Sequence, residues 1–387
     1  MDKELYDVLV IGAGPVGSYS AQQLASDGHK VAVFEEHACI GEPMQCTGII
    51  GVECFRRFRL TTDTVLHEAN SAKLFSPSGK VIRLHSDRPQ AYIVDRTAFD
   101  RQLADSAKSQ GAKYFTSSRA TDVAVLSDRV RLSTEMGETF DGRAAVIASG
   151  FYSKLPQTLG LGRVKDFITG AQAEVEIKGG SGLDEIEIYF DQSVAPGFFA
   201  WLVPTTQQRA LCGLFARKAP QKHLRSFLTR LFEKDRIVSP EVNIMHGGIP
   251  LKPLRKTYGD RAVVIGDAAG QVKPTTGGGV FYGLLCADIA ADILHKALST
   301  DDLTAKSLSR YQTECHKTIG RELRNGYAAR YAYEKLSNRR IDQMFDIIVR
   351  KGIDKTINQS PNISFDWHSK AMTELIKISL PRLFVPK

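Results

Sequence analysis

The sequence predicts an α/β protein in three parts: a discontinuous nucleotide-type domain, an inserted and mainly antiparallel sheet, and a helical C-terminal region. Three observations predict it. The chain opens with a short all-apolar run, a glycine-rich turn and a second apolar run. Between about residues 170 and 215 the texture changes to alternating strands. A buried strand at 261–265 then leads into a second glycine-rich loop and a long apolar helix.

The opening unit is the most specific. Val8 to Ile11 is fully apolar, as a strand buried on both faces requires. Gly12, Gly14 and Gly17 follow at the spacing of a dinucleotide fingerprint, with Pro15 and Val16 between the last two. The first glycine permits the tight turn, the second lets backbone approach a pyrophosphate, and the third lets helix and strand pack closely. The helix N-terminus supplies free N–H groups and partial positive charge. Lys30 to Phe34 makes the second strand, and Glu35 ends it 23 residues after Gly12, where a carboxylate can accept from ribose hydroxyls. This is a Rossmann-like βαβ unit for an adenine dinucleotide.

The next segments follow in order. Residues 36–60 read as irregular, with Gly41, Pro43, Gly48 and Gly51. Residues 72–94 alternate and read as a hairpin around Ser78-Gly79. Residues 97–110 carry helical spacing with Thr97 as N-cap. Strand-like runs follow at 113–116, 122–126 and 129–133, and Ala144 to Ala148 makes another buried strand. Alternating strands at 171–177, 185–190, 199–203 and 210–215 compose the inserted sheet, and 221–235 is helical. The region from about 280 to the end is predominantly helical.

Composition is that of an ordinary globular chain: 387 residues, 43% hydrophobic and 24% charged. The six cysteines (39, 46, 54, 212, 286 and 315) show no C-x-x-C pair and no zinc spacing. Reduced thiols in a cytoplasmic setting are therefore expected, with no metal site. A first strand that begins almost at once predicts the absence of a signal peptide. A net charge of +8 suits an anionic membrane, a phosphorylated substrate or an acidic protein carrier. Without basic runs among aromatics, nucleic acid is the weakest fit. Asp288 and Asp292 interrupt the apolar stretch at 279–298, which reads as a core helix and not a membrane span.

The second junction changes the ligand. Gly266-Asp267-Ala268-Ala269 follows the 261–265 strand, and Gly277-Gly278-Gly279 precedes the apolar helix at Val280. Asp267 can hydrogen-bond a ribityl hydroxyl, and the glycine run lets backbone N–H groups approach an electron-rich ring or phosphate. Two nucleotide-type junctions, distant in sequence, fit one long ligand, FAD.

Together these features resemble the flavoprotein class of aromatic hydroxylases, halogenases and geranylgeranyl reductases. Asp95-Arg96-Thr97-Ala98-Phe99-Asp100 is similar to that class's D-R-x-x-F-D segment, whose arginine lies near the flavin. Val146 to Gly150 is similar to its strand end beside the nucleotide, and Ala120 is assigned to the cofactor with them. Two segments resemble the geranylgeranyl reductase family. Gly41-Glu42-Pro43-Met44-Gln45-Cys46-Thr47 matches its G-x-P-x-x-C segment, which implies Cys46 beside the isoalloxazine and the substrate cavity, with Thr47 contacting cofactor. Pro196 to Pro204 matches its P-x-x-Y-x-W-x-F-P pattern at Pro196, Trp201 and Pro204, with Phe199 for tyrosine and Val203 for phenylalanine. The lost tyrosine hydroxyl makes the implied lipid pocket more apolar. Thr47-Gly48-Ile49 also departs from archaeal members that carry a further acidic residue there.

The resemblance implies a domain layout: FAD-binding in 1–70, 95–165 and 255–300, substrate-binding in 71–94 and 166–254, and helices in 301–387. It also implies reduction of prenyl double bonds, on isoprenoid lipids or prenyl diphosphates, by hydride from reduced FAD. Cys46 is the implied catalytic group, either donating a proton or packing on the flavin edge. Phe199 and Trp201, two apart on a strand, face one side and line the implied pocket with Pro204. Burial there holds a prenyl chain at about 0.8 kcal/mol per methylene. The electron donor is NAD(P)H or ferredoxin. The tail from Trp367 to Lys387 mixes apolar and basic residues, and reads either as an interfacial segment on a membrane or as a docked helix. Two other functions fit the same fold: a flavin monooxygenase or halogenase, whose W-x-W-x-I-P segment is only partly matched at Phe199–Val203, and a protein that merely stores reduced flavin.

Overall fold

The computed structural model describes residues 4–44, 46–179, 185–359 and 365–367. The fold is α/β, with mixed sheets and helices, in two compact units. The first comprises Met1–Met44, Arg96–Phe167 and Ile249–Leu323, and the second Gln45–Asp95, Ile168–Gly248 and Arg324–Lys387. The chain divides at other places than the expected boundaries. Residues 45–70 belong with the second unit because the Ile49–Gly51 and Val65–Ala69 strands both pair with Ala91–Val94. The Ala305–Glu334 helix starts in one unit and ends in the other.

The first unit is built on an eight-stranded sheet. Its centre is parallel: Ala262–Val264, Thr139–Ile147, Leu5–Ile11, Val31–Phe34 and Lys113–Phe115, in that spatial order. Val8, Leu9 and Val10 have no exposed surface, as expected of a strand covered on both faces. Tyr258–Gly259 adds one antiparallel edge, and Val130–Thr134 with Ala120–Val125 forms an antiparallel extension on the early part of Thr139–Ile147. The Pro15–Ser26 helix packs against both Arg96–Ser109 and Val280–Ser299.

The second unit holds a seven-stranded sheet in the order Met245–Pro250, Phe167–Glu176, Arg209–Ala216, Ala200–Pro204, Ile186–Tyr189, Ser71–Phe75 and Val81–His85. One pair, Ile186–Tyr189 with Ser71–Phe75, is parallel. The hairpin expected over 72–94 is present in its first part, where Ser71–Phe75 pairs with Val81–His85 and Gly79 turns with φ +85°, whereas Ala91–Val94 belongs to a separate three-stranded sheet. Alternation divides the sheet cleanly. Ala171, Ala173, Ala200, Leu202, Ala210, Cys212 and Leu214 turn to one side and pack with Leu224, Phe227, Leu228 and Leu231 of the Pro220–Glu233 helix. The other side carries Gln172, Gly213, Phe215, Trp201 and Ile188. At its far end Ile82 and Leu74 are covered by Ile341 and Phe345 of the Asn338–Arg350 helix.

Two local expectations are corrected. Residues 36–60 are not wholly irregular, since they contain the Ile49–Gly51 strand and the Val52–Phe58 helix. Thr97 is not the N-cap of its helix, which spans Arg96–Ser109; its hydroxyl instead donates to the Gly41 carbonyl at 3.2 Å.

Candidate functional site

The first unit brings both glycine junctions to the carboxyl ends of its parallel strands. Gly12 donates to the Phe34 carbonyl, Ala148 to Ile11, and Ile265 to Ile147, so three strand ends are aligned. Gly12 has φ +104°, and a Cβ there would strike the Ala148 carbonyl. Gly14 differs: it caps the Pro15–Ser26 helix with φ −65° and ψ 177°, and a Cβ there meets no protein atom within 4 Å. Open space at a helix N-terminus, over backbone in an unstrained conformation, fits an anion such as a pyrophosphate. Pro15 lacks an N–H, so the donors available come from its neighbours.

Glu35 is at the expected strand end, with its carboxylate already engaged. One oxygen accepts from the Ala13 N–H at 3.0 Å, and the other accepts from the His37 backbone at 3.0 Å and contacts its ring at 2.7 Å. Its first job is thus to hold the glycine loop. Carboxylate oxygens carry two lone pairs each, which leaves capacity for ribose hydroxyls.

Val16 joins the two junctions. Its side chain packs on Gly266 and fills the notch at Gly283, inside the Val280–Ser299 helix. Gly266 opens a 3-10 turn, Gly266–Ala269, and its N–H is taken by the buried Gln271 side chain at 2.8 Å. Gln271 donates to the Tyr311 hydroxyl at 2.7 Å, which donates to the Val264 carbonyl at 2.9 Å. Spacing gave no hint of this buried relay. In the glycine run, the Gly277 N–H is spent within the loop on the Lys273 carbonyl.

Asp267 keeps some accessible surface but is enclosed on most sides. That enclosure pushes its carboxyl up to about 6, against the opposing pull of the Arg96 charge. Arg96 grips Asp100 with two nitrogens at 2.9–3.1 Å. Burial raises Asp100 as well, the Arg96 charge opposing it. Gly12, Gly14, Glu35, Arg96, Asp267 and Gly279 thus belong to one unit, and their donor and acceptor set fits a long dinucleotide such as FAD. Ala120 opens its strand opposite Thr134 and packs at the rim of the apolar core.

The second unit holds the other candidates. Cys46 is exposed, and the Gly48 N–H donates to its Sγ at 3.4 Å. Thr47, expected at a cofactor, donates its hydroxyl to Gln172 at 2.6 Å within this unit. Phe199 and Trp201 share a face as predicted: both rings pack on Phe215, with centroids 5.4 and 4.7 Å away. Pro204 is a correction, because strand alternation puts it on the side of Ala200 and Leu202. Gly213 and Gln172 were missed. A lone glycine inside a strand is a sign of close approach, and here the Trp201 indole lies over Gly213. Gln172 has the same alternation as Glu174, which is exposed and paired with Arg209, so pattern alone did not separate them. Trp367, the start of the tail, donates to Glu53 at 2.9 Å; the remaining tail lies outside the described residues. Among the described residues, no helix is long and apolar enough to cross a membrane.

Comparison with known proteins adds chemistry to this geometry. A family model described as lycopene cyclase protein matches residues 7–347. The chain is 30% identical over 380 residues to a digeranylgeranylglycerophospholipid reductase of Methanocaldococcus jannaschii, covering 93% of this chain and 97% of the relative. A solved geranylgeranyl bacteriochlorophyll reductase-like protein of Thermoplasma acidophilum superposes with a TM-score of 0.85 over 98% of both chains, at 22% identity. A flavin-dependent halogenase superposes at 0.70, over 98% of this chain and 78% of its own, with 18% identity, and that likeness is one of fold.

Proposed function

This chain belongs to the geranylgeranyl reductase family, and from that premise we propose that it saturates double bonds in geranylgeranyl chains of isoprenoid lipids or prenyl diphosphates. It is an FAD-dependent oxidoreductase of the geranylgeranyl reductase type. The observation that carries the substrate reading is the aromatic wall of Phe199, Trp201 and Phe215 on one sheet face of the second unit. Such a wall binds a prenyl chain by removing apolar surface from water, at about 0.8 kcal/mol per methylene. The relatives' name, a phospholipid with two geranylgeranyl chains, fits that wall.

In this reading the first unit holds FAD. The loop from Gly12 to Gly17 receives the pyrophosphate, Glu35 a ribose, Asp267 a ribityl hydroxyl, and backbone at Gly278, Gly279 and Val280 the ring end. Arg96 adds a positive charge near Asp267. When bound and reduced, FAD supplies the hydride. The chain's own work is to orient an unactivated double bond and to supply a proton to it. The aromatic wall does the first. Cys46 Sγ does the second: Gly48 aims a backbone N–H at it, and its neighbour Thr47 is tied to Gln172 on the same face as Trp201. The reductant is NAD(P)H or a ferredoxin, the +8 charge suiting an acidic carrier. A basic, apolar tail suits peripheral contact with the lipid surface that holds the substrate.

One experiment tests the reading. The flavin is reduced anaerobically with dithionite and a geranylgeranyl lipid or diphosphate is added. Flavin reoxidation with mass gains in steps of two hydrogens is expected. Hydroxylated product appearing only with oxygen, and no anaerobic reoxidation, would assign a monooxygenase instead.

A further inference from the structure

The wall face carries two buried donors for which the described residues supply no acceptor: Gln172 Nε2 and Trp201 Nε1. Both residues are at least nine-tenths buried, at 5% and 6% exposure. They are linked through one glycine. Gln172 is registered opposite Gly213 on one side and Trp201 opposite Gly213 on the other. The indole lies across that gap, because a Cβ at Gly213 would sit 2.6 Å from Trp201 Cε2, the ring carbon bonded to Nε1. The donor-bearing edge of the indole therefore covers the space between the two strands. Thr47 fixes the amide from its other end, by donating to Gln172 Oε1 at 2.6 Å. The row continues through Ile188 to Leu74, and from Gln172 to Leu74 it contains no charged residue.

We propose that Gln172 and Trp201 form a two-donor anchor for a neutral oxygen joined to the apolar chain, the ether or ester oxygen that links a prenyl chain to its head group. The proposal rests on the prenyl-lipid reading above and assigns its polar end. Two neutral N–H groups suit an uncharged acceptor. A phosphate seated here would find no charged partner in the row itself, and a buried charge without a counterion is strongly disfavoured. Leaving both donors unmet is disfavoured too, so an apolar ligand without oxygen gains less from the same wall.

The test is equilibrium binding to oxidised holoenzyme, where no turnover occurs, using two probes partitioned from detergent micelles. One is geranylgeranylglycerol ether; the other is the matching hydrocarbon tetraene without oxygen. The wild type is expected to bind the ether about tenfold more tightly, the effect of one to two buried hydrogen bonds. Gln172→Leu is expected to remove that preference by weakening ether binding and not hydrocarbon binding. Trp201→Phe, which keeps a ring and loses the N–H, reduces the preference independently, and bound FAD content checks folding of both variants. Equal wild-type affinity for the two probes, as when water satisfies the donors, overturns the anchor while the prenyl wall stands. A preference that survives both variants also overturns it. If neither probe binds, the prenyl-lipid reading falls and the anchor with it.

Discussion

Val16 fills the notch left by the missing side chain of Gly283: a Cβ at Gly283 would run into Val16 Cγ2. Val16 belongs to the first glycine junction and Gly283 to the helix after the second. The contact brings together two loops about 250 residues apart in sequence, the pair to which the proposed reading assigns one ligand. Gly283→Ala has two opposing effects. Alanine favours a helix interior by up to about 1 kcal/mol, whereas overpacking costs about 1–3 kcal/mol. Net destabilisation of up to about 2 kcal/mol is expected, with weaker FAD retention. Val16→Ala in the same chain should restore most of it. A double-mutant cycle by denaturant unfolding checks this, and additive effects would break the link.

The glycines of the first junction should separate by role. Gly12→Ala forces a residue into φ +104° against the Ala148 carbonyl, so loss of fold is expected. Gly14→Ala enters open space with an ordinary backbone, so the apoprotein's melting temperature should stay within a few degrees while FAD affinity drops at least tenfold. Calorimetry of the apoprotein and a flavin titration make the comparison. Unchanged FAD affinity in Gly14→Ala would remove the pyrophosphate from this loop.

The βαβ unit, the second junction and the strand texture were legible because each depends on local pattern: four apolar residues, fixed glycine spacing, strict alternation. What escaped depends on which partner a side chain meets. Gln172 and Glu174 alternate identically, yet one is buried beneath Thr47 and the other is paired with Arg209 at the surface. Thr97 has the residue type of a cap but is claimed by Gly41. The Gln271–Tyr311 relay is a contact across 40 residues, beyond any short-range rule. Gly213 was readable in principle, since a strand seldom tolerates glycine without a reason.

Gly213 provides a direct probe of the wall. Its substitution by alanine would push a methyl against the Trp201 indole and to 2.8 Å from the Ala171 carbonyl, and backbone cannot yield as a side chain can. A loss of about 1–3 kcal/mol is expected. Because the indole must tilt, turnover of prenyl substrate should fall further than stability does, with FAD still bound. Thermal unfolding and single-turnover flavin reoxidation, measured together, separate the effects. Full turnover with a displaced indole would take Trp201 out of the substrate wall.

Asp267 sets a pH dependence whose sign follows from its position. Enclosure holds the carboxyl near 6 in the folded apoprotein, above the usual 3.8. The folded chain therefore binds this proton more tightly than the unfolded chain does. The group's contribution to apoprotein stability declines as pH rises from about 4 to 6 and is constant above. FAD binding runs the other way. A ribityl hydroxyl donates best to the ionised carboxylate, so affinity should be full above pH 7 and fall below pH 6, by at most about tenfold per pH unit. Asp267→Asn removes the titration: its FAD affinity should be about tenfold lower at pH 7.5, reflecting a lost charge-assisted hydrogen bond, and flat between pH 5 and 7.5. Flavin titrations of both proteins across that range decide it. A wild-type affinity that stays flat down to pH 5 would mean that Asp267 does not accept from the cofactor.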